Sequence, residues 1–434
     1  MNEDFLKDIQ SVHFIGIGGI GVSAVARLML TRGVEVSGSD RGASLITEKL
    51  EKEGAKVFVG HDHTQVPEEC DLVVYSPAIE DTNPELILAH ERGMQTLSYP
   101  QALGMISRGM RTVAVSGTHG KTTTTAMTAE VLVSAGKSPT VIVGSLLKSG
   151  TNFVAGTSNL FVVEACEYRR SFLNLSPEIL VITNIDNDHL DYYGTIEGVQ
   201  KAFAEMVEKV PRQGAIVCDP NDARVAPVLM NAKARIVDYT KENLAVVLAV
   251  SGEHNIKNAK AVLAVMRVLG VDQGEAEHFL KQFQGTWRRM EYKGETKGGT
   301  PVYDDYAHHP TEVRATLQGA RAKFPDARIR VVFQPHLYSR TKLLLNDFAV
   351  SFDDVDEVIV ATIYAAREVI DPTISAEILA QHISDAQKVS HLRVWAMLDF
   401  LTIENYLRET AKEHDVIITM GAGDVFKVGE SILG

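Results

Sequence analysis

Val113-Ala-Val-Ser-Gly-Thr-His-Gly-Lys-Thr-Thr-Thr-Thr125 decides the fold of this chain. The β-branched run at 112–115 predicts a short buried strand. Gly117 and Gly120 predict a tight turn, and 122–135 a helix stopped at Gly136. Strand, glycine turn, Lys-Thr and helix is the plan of a phosphate-binding loop. In that plan backbone N–H groups and the helix N-terminus face the phosphates, Lys121 neutralises the terminal ones, and the Thr122 hydroxyl can ligate Mg²⁺. The usual spacing puts a glycine five residues before Gly120, where this chain has Val115. Its first glycine is Gly117, so the loop is a shortened Gly-Thr-x-Gly-Lys-Thr.

Upstream, residues 1–110 form a first unit. Val12-His-Phe-Ile-Gly-Ile-Gly-Gly-Ile-Gly-Val-Ser23 reads as a strand, then Gly16-x-Gly18-x-x-Gly21, then a helix to about Thr31. A second strand at 35–39 ends at Asp40, an acid about twenty residues after the glycines, which is a mononucleotide-binding βαβ start. The glycines select a pyrophosphate, not a nicotinamide, so NAD and another diphosphate both remain open. Further strands are expected at 56–59 and 71–76.

Downstream, residues 111–294 carry the phosphate loop. Leu160-Phe-Val-Val-Glu-Ala165 and 179–185 are near-continuous apolar strands, which implies a parallel sheet covered on both faces. Such sheets gather ligands at their C-terminal edge, where residues 117–122, Glu164 and His189 fall. Glu164 could instead pair with Arg169 or Arg170, and His189 could cap a helix or sit in the core. Gly252-Glu-His-Asn-Ile-Lys-Asn-Ala259 opens a helix to Leu269, with Asn255 as its cap or, with Asn258 one turn later, facing the same site. The glycine- and lysine-rich stretch 293–300 reads as the next boundary. The third unit, 295–434, alternates again, with strands at 302–306, 329–334, 357–363 and 416–420. Gly421-Ala-Gly-Asp424 is a glycine turn after the last strand that could be another phosphate site, with a plain strand-to-helix turn the preferred reading.

Composition agrees with this. A chain of 434 residues suggests roughly two to four domains. With 45% hydrophobic and 23% charged residues it is an ordinary soluble protein, and a net charge of −13 argues against non-specific nucleic-acid binding. Cys70, Cys166 and Cys218 are scattered and show no disulfide or metal-site spacing. No signal peptide is visible, and the longest apolar runs, such as 244–250, are too short to span a bilayer, so a cytoplasmic protein with no membrane insertion is expected.

The chain resembles the Mur ligases of peptidoglycan synthesis over nearly its whole length. The resemblance is carried by residues 16–23 and 116–123, Glu164-Ala-Cys-Glu-Tyr168, Thr183-Asn-Ile with Asp188-His189, residues 252–259, and Arg288-Arg289. Two narrower stretches are Asp304-Asp-Tyr-Ala-His-His-Pro-Thr-Glu312 and Gln334-Pro-His with Tyr338-Ser-Arg-Thr341. The phosphate loop alone also admits folylpolyglutamate synthases. The sister ligase that recycles murein tripeptides shares the first narrow stretch but differs at Gln-Pro-His.

The resemblance implies three α/β domains: an N-terminal Rossmann-like UDP-sugar-binding domain, a central P-loop ATPase-type parallel-sheet domain, and a C-terminal Rossmann-like domain for the amino acid and ATP. It implies that Gly18, Gly19, Ile20, Gly21, Asp40, His61 and Ser76 lie near the UDP moiety. ATP would meet Gly117, Thr118, His119, Gly120, Lys121, Thr122 and Thr123, with Asn255, Asn258 and Arg289. Thr122 and Glu164 would hold one Mg²⁺, and His189 a second. The implied reaction joins L-alanine to the lactyl carboxylate of UDP-N-acetylmuramate at the expense of ATP, through an acyl phosphate. Besides Lys121, Glu164 and His189, the implied catalytic set includes His308, a candidate base, and Arg340, which would hold the amino-acid carboxylate. Cys166-Glu-Tyr stands where the family more often has Asp-Glu-Ser, and Leu337 where it more often has arginine. Some sister ligases carry a carbamylated lysine beyond the metal-binding histidine, and Lys201 lies nearby. Three alternatives stay open: a related ligase attaching a peptide or another amino acid, an NAD-dependent oxidoreductase, and a nucleotide switch that hydrolyses ATP without a ligase substrate.

Overall fold

A computed structural model describes residues 8–147, 150–366, 368–386 and 392–434. The chain divides into two compact units, Met1–Val247 with Lys257–Phe283, and Leu248–Ile256 with Gln284–Gly434.

The first unit holds two sheets. Strands β1 (Ser11–Ile15), β2 (Glu35–Asp40), β3 (Lys56–Val59), β4 (Leu72–Tyr75) and β5 (Thr96–Ser98) run parallel in the order β3-β2-β1-β4-β5. The second sheet contains β6 (Arg111–Ser116), β7 (Thr140–Ile142), β8 (Phe153–Val154), β9 (Leu160–Glu164), β10 (Ile179–Ile182), β11 (Ala215–Cys218) and β12 (Arg235–Asp238). Their order is β12-β11-β10-β6-β9-β7-β8, parallel except for β8 against β7. All four residues of β10, Ile-Leu-Val-Ile, are buried, as an apolar run covered on both faces must be. One hydrophobic cluster joins the two sheets: Phe14 and Leu28 from the first share it with Ala114, Phe161, Leu180 and Phe203 around the second. The helix Tyr99–Arg108 lies just before the expected 110/111 boundary and puts Ala102, Leu103 and Ile106 into that same cluster.

The second unit is built on β13 (Glu291–Glu295), β14 (Pro301–Asp305), β15 (Arg328–Phe333), β16 (Glu357–Val360), β17 (Arg393–Ala396) and β18 (Asp415–Met420). The order is β13-β14-β18-β15-β16-β17, with β13 antiparallel to β14 and the other pairs parallel. Its sheet has apolar cover on both sides, from clusters around Phe333 and Phe348 and around Val332 and Ile403.

The three α/β sheets are those expected, and the strands around the phosphate loop begin within a residue of expectation. One reading changes. The stretch 293–300 is the end and turn of the β13–β14 hairpin, so its glycines and lysines serve an edge strand, and the expected 294/295 boundary falls inside β13. The apolar run 244–250 forms no regular element, and its Val247 is 86% exposed. Among the described residues no helix is long and apolar enough to cross a membrane.

Candidate active site

The phosphate loop leaves the C-terminal end of β6, between β10 and β9. Gly117 has φ +126°, and a Cβ there would stand 2.0 Å from Thr183 Oγ1; Gly120 has φ +83°, and a Cβ would stand 2.5 Å from Asn258 Oδ1. Neither position can take a larger residue, first because of the left-handed backbone and then because of the close neighbour. The segment after β10 clamps the loop. Asn184 Oδ1 accepts from His119 N at 3.0 Å, Asn184 Nδ2 and Thr183 Oγ1 donate to His119 O at 3.0 and 2.6 Å, and Thr118 N donates to Asn184 O at 3.0 Å. His119 Nε2 lies 3.3 Å from Asp186, which Arg224 also pairs. Helix Lys121–Ser134 then begins, with Thr122 and Thr123 buried in its first turn. This is the strand–loop–helix predicted, and Asn258 lies against its second glycine.

Lys121 Nζ donates to Gly117 O at 2.6 Å, to Thr118 O at 2.9 Å and to Glu167 Oε1 at 3.0 Å. Burial works against the ammonium charge, but Glu167, with Cys166 and Glu164 behind it, outweighs burial and holds the Lys121 pKa above its ordinary value. Thr122 Oγ1 donates to Glu164 Oε1 at 3.1 Å, and Gly144 N donates to Glu164 Oε2 at 2.9 Å. The arginines that could have paired with Glu164 are engaged elsewhere, Arg170 with Glu205 and Arg169 over the Tyr168 ring. His189 has φ +55°, makes no side-chain cap to the helix Leu190–Tyr193, and keeps 21% of its side chain exposed. Its Nε2 lies 3.9 Å from Glu167 Oε1, and its ring centroid 4.7 Å from that of Tyr168.

Glu167 thus joins Lys121 to His189, and the sequence reading gave it no role. It is 2% exposed, and among the described residues its Oε2 has no hydrogen-bond partner. A second acid three residues after the strand-end Glu164 was the available signal. Lys201 lies exposed on the helix Ile196–Lys209.

The expected UDP-sugar residues share the C-terminal edge of the first sheet. Gly16 and Ile17 N–H groups donate to Ser39 O at 2.8 and 2.9 Å, and Gly18 N donates to Asp40 Oδ2 at 2.8 Å. Gly19 precedes the helix Ile20–Thr31, whose first residues are Ile20 and Gly21, so its free N-terminal amides open at this turn. Ser76 follows β4 and donates its N–H to Ile15 O at 2.9 Å; His61 follows β3.

The remaining expected residues lie in the second unit. Asn255 Nδ2 donates to Ser251 O at 2.7 Å; Asn255 belongs to this unit, whereas Asn258 belongs to the first. Arg289 lies 3.8 Å from Glu312 and over the Tyr306 ring. His308 Nδ1 lies 3.0 Å from Tyr306 O, an acceptor, so the hydrogen sits on Nδ1 and the neutral ring has its lone pair on Nε2. Arg340 Nη1 meets His336 Nδ1 at 3.0 Å. Arg288, 3% exposed, ties this edge together: it bonds Asp304 at 2.6 Å, Gly421 O at 2.6 Å and Gly423 O at 3.0 Å, which makes the Gly421 turn a structural one. Burial pushes the Asp305 carboxyl up to about 6, although Arg289 opposes the shift.

Comparison with known proteins finds three family models in succession along the chain. Residues 11–111 match the Mur ligase family catalytic domain, 115–248 the Mur ligase middle domain, and 288–423 the Mur ligase glutamate ligase domain. The UDP-N-acetylmuramate–L-alanine ligase of Clostridium kluyveri is 42% identical, with 100% of both chains covered, and that of Clostridium acetobutylicum is 40% identical over the same shares. Among solved structures, the UDP-N-acetylmuramate–alanine ligase of Thermotoga maritima superimposes with a TM-score of 0.79 at 28% identity, covering 97% of this chain and 98% of its own. A murein peptide ligase from Psychrobacter arcticus has a TM-score of 0.70 at 24% identity over 98% of each chain, a likeness of fold. With full-length relatives at this identity and family domains along its length, the chain belongs to the Mur ligase family.

Proposed function

We propose that this chain is an ATP-dependent ligase that joins L-alanine to the lactyl carboxylate of UDP-N-acetylmuramate in peptidoglycan precursor synthesis, in the cytoplasm. The reading rests on one observation above the others: a Lys-Thr phosphate loop, with Thr122 on Glu164 and Lys121 on Glu167, lies in a chain 42% identical end to end to a ligase named for that reaction. Residues 1–110 would bind the UDP-sugar, the sheet β6–β12 with its helices ATP, and the unit built on β13–β18 the amino acid with part of ATP. The glycine turn of the first sheet then holds a UDP diphosphate and needs no nicotinamide.

A carboxylate is a poor electrophile. An oxygen of the lactyl carboxylate attacks the γ-phosphorus of ATP, the bond to the β-phosphate oxygen breaks, and ADP leaves. The amine of L-alanine, once deprotonated, attacks the carbonyl carbon of the acyl phosphate, and the carbon–oxygen bond to phosphate breaks. Carboxylate and γ-phosphate repel each other, so positive charge must stand between them, and Lys121 supplies it. Thr122 and Glu164 are hard oxygen donors already 3.1 Å apart, a pair that suits Mg²⁺, with His189 for a second ion. Bound there, Mg²⁺ would neutralise phosphate charge. The Nε2 lone pair makes His308 our candidate base, and the Arg340 fork our candidate for the alanine carboxylate. Release of ADP with UDP-N-acetylmuramate and a panel of amino acids tests the proposal. Release that needs both substrates, with L-alanine preferred, is expected; equal turnover with both omitted refutes it.

A further inference from the structure

Glu85 is fully buried, yet three side chains converge on its carboxylate. It stands in the first turn of the helix Pro84–Glu91, pinned by Asn83 Oδ1, which accepts from Glu85 N and Leu86 N. His13 Nε2 on β1 lies 2.8 Å from Glu85 Oε2, and Ser39 Oγ on β2 donates to the same oxygen at 2.9 Å. His61 Nδ1, after β3, lies 3.0 Å from Glu85 Oε1 and 2.9 Å from Ser39 Oγ. The other nitrogen of His13 meets Ser37 Oγ at 2.9 Å. A buried carboxylate is a costly way to join a helix to a sheet, since apolar packing of similar volume is often as stable or more so. Of the three side chains on Glu85, His61 is the one that reaches the surface: it is 20% exposed, whereas His13 and Ser39 are 0%.

The proton positions follow from the partners. The single Ser39 hydroxyl proton goes to Glu85 Oε2, so Ser39 Oγ can only accept from His61 Nδ1. His61 must therefore carry its hydrogen on Nδ1, facing Glu85 Oε1 and Ser39 Oγ. Its Nε2 is then the nitrogen turned away from the network. The backbone oxygen of the same Ser39 accepts from Gly16 N and Ile17 N, the turn that leads into Gly18–Gly21. The side chain that fixes the histidine is thus in the residue that fixes the glycine turn.

We propose that Glu85 is a positioning residue of the UDP-sugar site, which locks His61 with Nδ1–H inward and Nε2 toward the substrate, and through Ser39 keeps it in register with the glycine turn. This rests on the reading of His61 and the glycine turn as UDP-sugar contacts. The network acts as outer partners do around a metal-bound histidine, by setting tautomer and ring angle.

Two experiments on the full-length protein test it. In wild-type protein labelled with ¹⁵N-histidine, two-bond ¹⁵N–¹H correlations should find the His61 hydrogen on Nδ1, the His61 signals being those lost in His61→Ala. A bare Nδ1 overturns the proposal without any need for a mutant of Glu85. In Glu85→Gln, the Kd and KM for UDP-N-acetylmuramate should rise about tenfold or more, while KM for ATP and for L-alanine stays within about twofold. A purely structural Glu85 would instead lower the melting temperature and leave that split absent, which overturns the proposal. If His61→Ala binds UDP-N-acetylmuramate as well as wild type, the substrate reading of His61 falls and takes the inference with it. If His61→Ala weakens binding and a folded Glu85→Gln does not, the inference alone falls.

Discussion

Replacing Lys121 with alanine should cause two losses that a second substitution separates. The first is catalytic. Lys121 supplies charge where the γ-phosphoryl group is transferred, and removal of such a stabiliser costs on the order of 3 kcal/mol, or about a hundredfold in kcat. The second is structural. Lys121 Nζ and Glu167 Oε1 are 3.0 Å apart, with side chains 14% and 2% exposed. At an effective dielectric constant near 20 the attraction is about 5 kcal/mol, much of it offset by desolvation of the two groups. Taking away one partner strands the other charge, which typically costs roughly 3–5 kcal/mol. The low end of that range, about 3 kcal/mol, serves as the conservative figure. At roughly 2–4 °C per kcal/mol for a unit of this size, calorimetry should place the melting of the first unit roughly 6–12 °C lower. Lys121→Ala with Glu167→Gln removes the stranded charge. Its stability should return to within about 1 kcal/mol of wild type, while ADP release stays about a hundredfold down. Affinity for the UDP-sugar should change little in either variant. Recovery of turnover in the double variant would mean that Lys121 acts only by neutralising Glu167, and near-normal turnover in Lys121→Ala would refute its catalytic role.

Arg340→Lys should raise KM for L-alanine by about tenfold or more, because an ammonium cannot reproduce the two parallel bonds of a guanidinium; equal shifts in KM for all three substrates would count against the assignment. Arg330 is 0% exposed and bonds Glu357 at 2.6 Å, Asp415 at 3.3 Å and Thr410 at 2.8 Å, so Arg330→Met should destabilise the second unit by roughly 3–5 kcal/mol, read by urea or thermal unfolding. Burial, with Arg289 adding to it, pushes His254 down to about 4. A neutral histidine of this kind stabilises fully above its unfolded pKa near 6.5 and loses that contribution as pH falls toward 4, so His254→Gln should flatten the decline in melting temperature between pH 7 and 4 by up to about 3 kcal/mol; an unchanged slope would refute it.

The phosphate loop was legible because everything that makes it is local: a β-branched strand, two glycines, Lys-Thr and a helix within about two dozen residues. What makes those glycines irreplaceable was not legible, since Thr183 and Asn258 crowd them from far along the chain. Glu167 escaped for the same reason. As a letter it is one more acid after Glu164, and only the fold puts it 3.0 Å from Lys121. Glu85, nine residues past Ser76, gave no local sign that β1, β2 and the loop after β3 would meet on it. The β13–β14 hairpin read as a linker because glycine and lysine suit an exposed edge as well as a connection. His61 and Ser76 came from the family resemblance and Asp40 from its spacing after the glycines, and the fold places all three at one sheet edge.

The division between the compact units falls inside the continuous helix Glu253–Leu269, after Ile256, and the chain returns to the first unit until Phe283. This has a bearing on how the protein is made. The helix Lys121–Ser134 packs against the helix Gln273–Gln282, which is synthesised roughly 140 residues later; at about 5–20 residues per second that is a wait of roughly 7–30 s. Until then a nascent chain presents the phosphate-loop helix with its partner still missing, after every strand of both sheets in the first unit has emerged. A ribosome that stalls between residues 250 and 270 would therefore hold a nearly finished but uncovered fold, and that is where a chaperone bound to the growing chain would be of most use.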